Sequence, residues 1–373
     1  MTRVLILYVE AGFGHRKAAE AVADEFRSRH RENVQIEISD ALEKTNWLFR
    51  KSYAPIYHQM VLWVPWLWGF FFWFTNLPMV YAFIRPLRTF WNRCQSSRLR
   101  AYLTEQQFDF ILFTHFFPAE VAATLKRHKA LKSILITVVT DVIPHYVWQN
   151  PGTDYYWVMA EESRAALAER EPLEAQIMIG GIPISTLFLK DGNSSELGTS
   201  LGLKQNRLTI LFTSGSFGTG PTSKVLEALG EFNDKIQIMV VCGLNQRLFD
   251  HLNRTRYPFP VILFGLIKNM HEVMPLANLL IAKPGGITMC ESLAKRVPMI
   301  VLAAIPGQET YNAKWLLEHH AAFQATTPKD VKTAISRLLQ NPDLLDQLRR
   351  SIDGIRKPNA SSDLVDFVLK KGN

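Results

Sequence analysis

The residues best placed to do chemistry lie in one stretch, residues 283–312, KPGGITMCESLAKRVPMIVLAAIPGQETYN. Leu279-Leu280-Ile281-Ala282 reads as a short buried strand, Pro284-Gly285-Gly286 breaks it, and 288–295 reads as a helix. Glycines at a strand-to-helix turn let phosphate oxygens approach the backbone, and the helix start offers unpaired N–H donors and a positive dipole end. Thr288 adds a hydroxyl, and Glu291, one turn into the helix, is in reach of ribose hydroxyls. Pro-Gly-Gly by itself marks only a turn. A second strand follows at 297–302, and then a polar loop that opens another helix, with Gln308, Glu309 and Asn312 as candidates for sugar hydroxyls. Two adjacent strands then deliver polar groups at their C-terminal ends, where open α/β sheets bind ligands. The chemistry is that of holding a diphosphate flanked by a ribose and a sugar.

Two further constellations lie in the first half. Gly12-Phe13-Gly14-His15 occupies a strand-to-helix turn, without the third glycine of a dinucleotide fingerprint. Thr140-Asp141-Val142-Ile143-Pro144-His145-Tyr146-Val147-Trp148 follows a long buried strand, so the Asp141 carboxylate emerges at the sheet's C-terminal edge. In isolation His15 is a surface histidine beside a tight turn, and Asp141 a cap. Transfer of a glycosyl group to a hydroxyl needs a base to take the hydroxyl proton, worth about 10²–10⁴ in rate. His15 or Asp141 can be that base, with the other orienting it. No Asp-x-Asp pair stands at a strand end, so a metal-independent, inverting displacement without an enzyme nucleophile or cofactor is expected. The glycine loop and helix dipole would stabilise the leaving diphosphate.

The elements that must position these groups alternate along the chain. Strands are predicted at 4–9, 34–38, 110–114, 134–140, 155–159 and 177–179, with a helix over about 17–30. A second set follows at 208–212, 237–241, 261–264, 279–282 and 297–302. Strands alternating with helices argue for parallel sheets covered on both faces. The polar run Asp191-Gly192-Asn193-Ser194-Ser195 reads as a hinge. The expected domains are 1–190 and 200–373, the last helix possibly returning to the first domain.

With 373 residues the chain has room for two cores. At 47% hydrophobic and 20% charged residues it is globular and not disordered. A net charge of +8 favours anionic partners. The basic residues cluster beside tryptophans and form no helix stripe, which argues against nucleic acid. Cys94, Cys242 and Cys290 have no paired spacing, which fits a reducing cytoplasm. The N-terminus runs straight into a strand, with no basic start, apolar region and small-residue cleavage site, so secretion is not expected.

An aromatic insertion occupies about 47–100. Residues 52–84 contain no Asp, Glu, Lys or Arg, yet hold Trp63, Trp66, Trp68, Trp73 and Phe70-Phe71-Phe72. Arg85, Arg88, Arg93, Arg98 and Arg100 follow, with no acid among them. The strongest apolar core, 61–74, is shorter than the ~20 residues of a spanning helix and contains Pro65 and Gly69. Ordinary buried core would be unusually aromatic. Tryptophans at a headgroup boundary beside clustered arginines read as a peripheral segment docking on anionic lipid.

The combined pattern resembles glycosyltransferase family 28, closest to its monogalactosyl- and diglucosyl-diacylglycerol synthases. The match rests on Gly285, Gly286, Thr288, Glu291, Pro306, Gly307, Gln308, Glu309 and Asn312, and on Gly14-His15 and Thr140-Asp141 with His145 and Trp148. Phe13 stands where these relatives often carry a third glycine. The resemblance implies an α/β GT-B fold, two Rossmann-like domains facing a central cleft. It implies that the loop Ser214-Gly215-Ser216-Phe217-Gly218 faces the donor phosphates and that backbone near Ile267 reads the uracil. It implies that His145, Trp148, Trp63, Trp66, Trp68, Phe71, Trp73, Arg85 and Arg88 serve the acceptor and the membrane. The expected activity is transfer of a hexose, glucose ahead of galactose, from a UDP-sugar to diacylglycerol at the cytoplasmic membrane face. Transfer of GlcNAc to a polyprenyl-linked acceptor and a non-catalytic, membrane-attached UDP-sugar binder are the alternatives. The oligomeric state is left open.

Overall fold

The computed structural model describes the chain apart from residues 11, 31, 170–174, 191, 193, 216, 217, 219 and 373. The chain divides into two compact units. The first takes Met1–Thr186, the loop Ile305–Tyr311 and the chain from Asn359; the second takes Leu187–Ala304 and Asn312–Pro358. Of the polar run read as a hinge, Asp191 and Asn193 lie outside the described residues, and a short helix, Ser194–Ser200, begins directly after them.

In the first unit, strands β1 (Thr2–Tyr8), β2 (Val34–Asp40), β3 (Phe110–Phe113), β4 (Ile134–Val138), β5 (Tyr155–Val158) and β6 (Gln176–Ile179) form a parallel sheet in the order β2-β1-β3-β4-β5-β6. Side chains alternate across the strands. Leu5, Leu7, Ile111, Phe113 and Leu135 pack with Leu99, Leu103 and Phe117 on one face. Val4, Ile6, Phe110, Leu112 and Ile136 pack with Val22 and Phe26 on the other, joined by Leu364, Val365 and Val368 of the C-terminal helix Ala360–Gly372. That helix is pinned by Ser361 Oγ donating to the Ile184 carbonyl at 2.6 Å.

In the second unit, β7 (Leu208–Thr213), β8 (Ile236–Val241), β9 (Val261–Phe264), β10 (Leu279–Ala282), β11 (Met299–Leu302) and β12 (Ala322–Ala325) form another parallel sheet, in the order β12-β11-β10-β7-β8-β9. The edge strand β12, with Gln324 exposed, has no apolar run to announce it.

Each strand order has one reversal. In the first sheet the chain goes from β1 to β2 on one side and returns to β3 on the other; in the second it goes from β7 out to β9 and returns to β10. Such reversal points leave a crevice at the strands' carboxyl ends, where ligands bind. The segments after β1 and β4, and those after β7, β9, β10 and β11, carry the residues singled out from the sequence.

The aromatic insertion folds as three helices, Trp47–Trp63, Pro65–Thr75 and Pro78–Gln95. Asn46 caps the first by accepting from the Phe49 amide at 2.8 Å, and Pro65 and Pro78 open the other two, where a missing N–H costs nothing. No single helix among the described residues is long and apolar enough to cross a membrane. The last two pass by length and composition only as a pair, bent by 96°.

Arg88 departs from the expected membrane role. It is turned inward, with Nε 3.0 Å from Glu120 Oε2 and side-chain exposures of 15% and 6%. Thr89 and Asn92 also donate to Glu120, each at 2.5 Å. This buried carboxylate therefore ties the third insertion helix to the helix Phe116–Arg127 beneath it. Glu120→Ala leaves the Arg88 charge facing a void and should destabilise the protein by about 3 kcal/mol, lowering Tm by several degrees. Thermal unfolding of the variant indistinguishable from wild type would contradict this reading of the helix anchor.

Candidate functional site

The first unit gathers two titratable groups at its reversal point. The helix Phe13–Arg29 starts directly after Gly12, earlier than the sequence suggested, so His15 lies in the first turn and not in the loop before it. Its Nδ1 lies 2.6 Å from the Thr114 carbonyl oxygen, just past β3, and 3.1 Å from Thr140 Oγ1, just past β4. In return Thr114 Oγ1 donates to the His15 carbonyl at 2.8 Å. A carbonyl only accepts, so Nδ1 carries the hydrogen and Nε2 presents the lone pair. Desolvation, opposed by the Thr114 hydrogen bond, lowers the His15 pKa to about 4. The imidazole is therefore neutral at physiological pH and can accept a hydrogen bond or a proton.

Asp141 follows Thr140 at the same edge. Burial raises its carboxyl pKa to about 6, and the indole N–H of Trp148, donating to Oδ2 at 3.2 Å, pulls the other way. Trp148 is buried, and its ring centroid lies 6.2 Å from that of His15. One indole thus holds the carboxylate and walls the imidazole.

His145 is also buried, but its ring is engaged at both nitrogens. Nδ1 accepts from the Val147 amide at 3.1 Å, which leaves the hydrogen on Nε2, 3.0 Å from the Phe72 carbonyl. Its role in this structure is to tie the aromatic helix Pro65–Thr75 to the loop that carries Asp141. The loop Ile305–Tyr311 packs on the same helix. Gly307, at φ +105°, faces the Phe72 ring so closely that an added Cβ would sit 2.8 Å from it. Gln308 donates from Nε2 to the Tyr57 hydroxyl at 3.1 Å, and its Oε1 is buried without a hydrogen-bond partner. Glu309 accepts from the Ile305 amide at 2.7 Å, closing its own loop.

Of the aromatic residues, Trp63, Trp66, Phe71 and Trp73 stand exposed. Trp68 does not share that surface. Its ring packs edge-on against Tyr57 at 5.2 Å, and its Nε1 is buried. Arg85 is half-buried on the third insertion helix.

In the second unit the loops after β7 and β10 adjoin the other reversal point. The helix Gly286–Ala294 begins without a side-chain cap at Gly285 and with no acid in its first turn. Its leading amides are a ready anion site. Thr288 is half-buried in that turn, and Glu291 is buried one turn on. Asn312, 1% exposed, donates from Nδ2 to the Pro284 carbonyl at 2.9 Å, so it holds the glycine turn in shape. After β7, Gly215 and Gly218 both have positive φ, and a Cβ on Gly218 would fall 2.3 Å from the Cys242 carbonyl oxygen. Asn245 Nδ2 donates to the Gly218 carbonyl at 2.9 Å. The Ser214 hydroxyl is hydrogen-bonded to Thr222 Oγ1 at 2.6 Å, at the start of the helix Thr222–Ala228. Ser216 and Phe217 lie outside the described residues, and Ile267 is half-buried in the loop after β9. Among the described residues no group of three or more His, Cys, Asp or Glu side chains is gathered for a metal ion.

Sequence reasoning missed His115, Thr114 and Tyr57. His115 is buried edge-on against His15 at 4.7 Å, and burial, with His15 beside it, holds its pKa well below the ordinary value. Its Nδ1 accepts from the Phe117 amide at 3.1 Å, capping the following helix. A signal was available: Thr114-His115 is a polar pair directly after a buried strand, like Thr140-Asp141.

Residues 15–184 match the monogalactosyldiacylglycerol (MGDG) synthase family model, and residues 209–361 match the glycosyltransferase family 28 C-terminal domain. A processive diacylglycerol beta-glucosyltransferase from Staphylococcus saprophyticus is 27% identical over 98% of this chain and 92% of its own length. Among solved structures, Acinetobacter baumannii MurG superposes with a TM-score of 0.63 at 15% identity, over 99% of this chain and 100% of its own. Anabaena Alr3699/HepE in complex with UDP-glucose gives 0.59 at 13% identity, over 100% of both chains. At such identities these two likenesses bear on fold alone, and the fold is GT-B.

The protonation pattern can be read directly. Nitrogen-detected NMR of labelled histidine should show the Nδ1–H form of His15, neutral until the pH falls to about 4. An imidazole that titrates near its ordinary value, or carries its hydrogen on Nε2, would contradict the hydrogen-bond assignment.

Proposed function

The chain belongs to glycosyltransferase family 28 and is a UDP-sugar-dependent enzyme, and from that premise we propose that it moves a hexose from a UDP-sugar onto diacylglycerol. Glucose is the preferred sugar, in keeping with the activity for which its Staphylococcus relative is named. The reaction is a single in-line displacement that inverts the anomeric centre and requires neither metal ion nor cofactor. The enzyme works as a peripheral protein on the cytoplasmic face of the membrane.

The observation that carries this reading is a juxtaposition inside the first unit. Half-buried Asp141 sits on a loop that His145 ties to an aromatic helix exposing Trp66, Phe70, Phe71 and Trp73, and neutral His15, in the first turn of the helix after β1, meets that loop at Thr140. A base beside a surface that no soluble fold benefits from exposing suits an alcohol borne by a lipid. Exposed tryptophans favour the headgroup boundary.

Asp141 is the base in this proposal. A pKa near 6 leaves it ionised at neutral pH yet basic enough to draw a proton, whereas His15, at about 4, is the weaker base. The attacking hydroxyl donates its one hydrogen to Asp141, and neutral His15, held against Thr140, orients the loop that carries that carboxylate. As the bond to the anomeric carbon forms, the C–O bond to the diphosphate breaks and its charge moves to the helix start at Gly286. Glu291 accepts from the ribose, Gln308 and Glu309 face the sugar, Asn312 shapes the turn, and backbone near Ile267 meets the uracil.

The test is turnover with labelled UDP-glucose and UDP-galactose, each with diacylglycerol micelles, with the lipid products separated by chromatography. Glucosyl-diacylglycerol should dominate, and Asp141→Asn should lower turnover about 10²–10⁴-fold. Asp141 must be ionised to act, so kcat/KM should rise with pH through about 6 and then level. A limb near 4 would assign the base to His15 instead, and product only on a polyprenyl acceptor would overturn the substrate.

A further inference from the structure

Unused hydrogen-bonding capacity gathers where the loop Ile305–Tyr311 meets the aromatic insertion. Gln308 buries its Oε1 with no donor, and Trp68 buries its Nε1–H with no acceptor. Tyr57, on the helix Trp47–Trp63, joins them. Its ring meets the Trp68 ring edge-on at 5.2 Å, and its oxygen accepts from Gln308 Nε2 at 3.1 Å. Among the described residues that is the one hydrogen bond of the Tyr57 hydroxyl, so the phenol hydrogen is unused. Buried polar atoms are rarely left unpaired, and two of them beside a free phenol hydrogen point to a ligand.

The loop is pressed against the insertion at two glycines. An added Cβ on Gly69, in the helix Pro65–Thr75, would fall 2.5 Å from Pro306 Cβ, and one on Gly307 would meet the Phe72 ring. This contact fixes Gln308 relative to Tyr57. Burial pushes the Tyr57 pKa up to about 12, the Gln308 hydrogen bond opposes it, and the negative charges of Glu309 and Asp141 add to it. The phenol therefore keeps its hydrogen at physiological pH, within electrostatic reach of both carboxylates.

Gln308 Oε1 and the Tyr57 O–H offer one acceptor and one neutral donor. An alcohol hydroxyl matches both, because it gives one hydrogen and accepts through its lone pairs. A small turn of the carboxamide about its last bond, a broad torsion, brings Oε1 onto such a group. A diphosphate oxygen has no hydrogen to give and would leave Oε1 unmet. The diacylglycerol hydroxyl has one hydrogen, and the base takes it. We propose that Tyr57 is a sugar-binding residue that, with Gln308, grips one hydroxyl of the donor hexose. The inference rests on the UDP-hexose reading above and gives that site a contact from the aromatic insertion.

Calorimetry of the full chain with UDP-glucose and with UDP separates the sugar's contacts from the nucleotide's. Tyr57→Phe keeps the ring against Trp68 and removes the hydroxyl. It should weaken UDP-glucose about tenfold and leave UDP unchanged. Gln308→Ala should do the same, and the double variant should lose little more, because either change breaks the shared grip. Tyr102→Phe, which removes a phenol bonded to Glu37 elsewhere in the first unit, should keep both affinities. The proposal is overturned if wild type binds both ligands and Tyr57→Phe binds UDP-glucose equally well. It is overturned if that variant loses UDP to the same extent, which assigns Tyr57 to the fold, or if the losses in the double variant add. A Tyr57→Phe enzyme in which only the KM for diacylglycerol rises would give the hydroxyl to the acceptor and overturn it too. Wild type that binds neither ligand would overturn the UDP-hexose reading along with it.

Discussion

Parallel strand pairing is the constraint on which the chemistry depends. Ladders such as Leu7 with Phe113, Phe113 with Thr137, and Thr213 with Ala282 bring the strands' carboxyl ends level along one edge of each sheet. The returning helices begin near that edge, with backbone amides that helical bonding cannot satisfy. Where the strand order reverses, neighbouring loops part and leave room between them. Residues separated by a hundred positions therefore meet within hydrogen-bonding distance, as His15 and Thr114 do.

The two sheets use this edge for opposite purposes. In the second unit the edge offers uncapped backbone amides, since the helix start at Gly286 has no side-chain cap and Asn312 holds the turn from behind. In the first unit the edge is dry enough to move two pKa values in opposite directions of charge. Burial discourages the imidazolium of His15 and the carboxylate of Asp141 alike, so one is lowered to about 4 and the other raised to about 6. Trp148 limits the second shift through its indole N–H. A moderately basic carboxylate can take an alcohol proton, and a neutral imidazole beside its loop adds no competing positive charge.

Much of this was legible in the chain. Runs such as Phe110-Ile111-Leu112-Phe113 and Leu279-Leu280-Ile281-Ala282 announce buried parallel strands. Strand β12 was not legible because Ala-Phe-Gln-Ala has neither an apolar run nor clear alternation. The start of the first helix was misplaced because glycines at 12 and 14 read as loop, whereas only Gly12 stands outside the helix. His115 escaped notice because its importance comes from contact with a residue a hundred positions away. Arg88 and Trp68 counted as membrane-facing by composition, and only packing against Glu120 and Tyr57 shows them turned inward. Composition marks out an aromatic segment, but each residue's face depends on where helices start, and here Pro65 and Pro78 set those starts.

The most direct test of the central claim is a crystal structure of the protein with UDP bound. The diphosphate should lie on the amides that open the helix Gly286–Ala294, with the ribose hydroxyls at the Glu291 carboxylate. Density for the nucleotide at any other part of the chain, with the Gly285–Gly286 turn unchanged and unliganded, would contradict it.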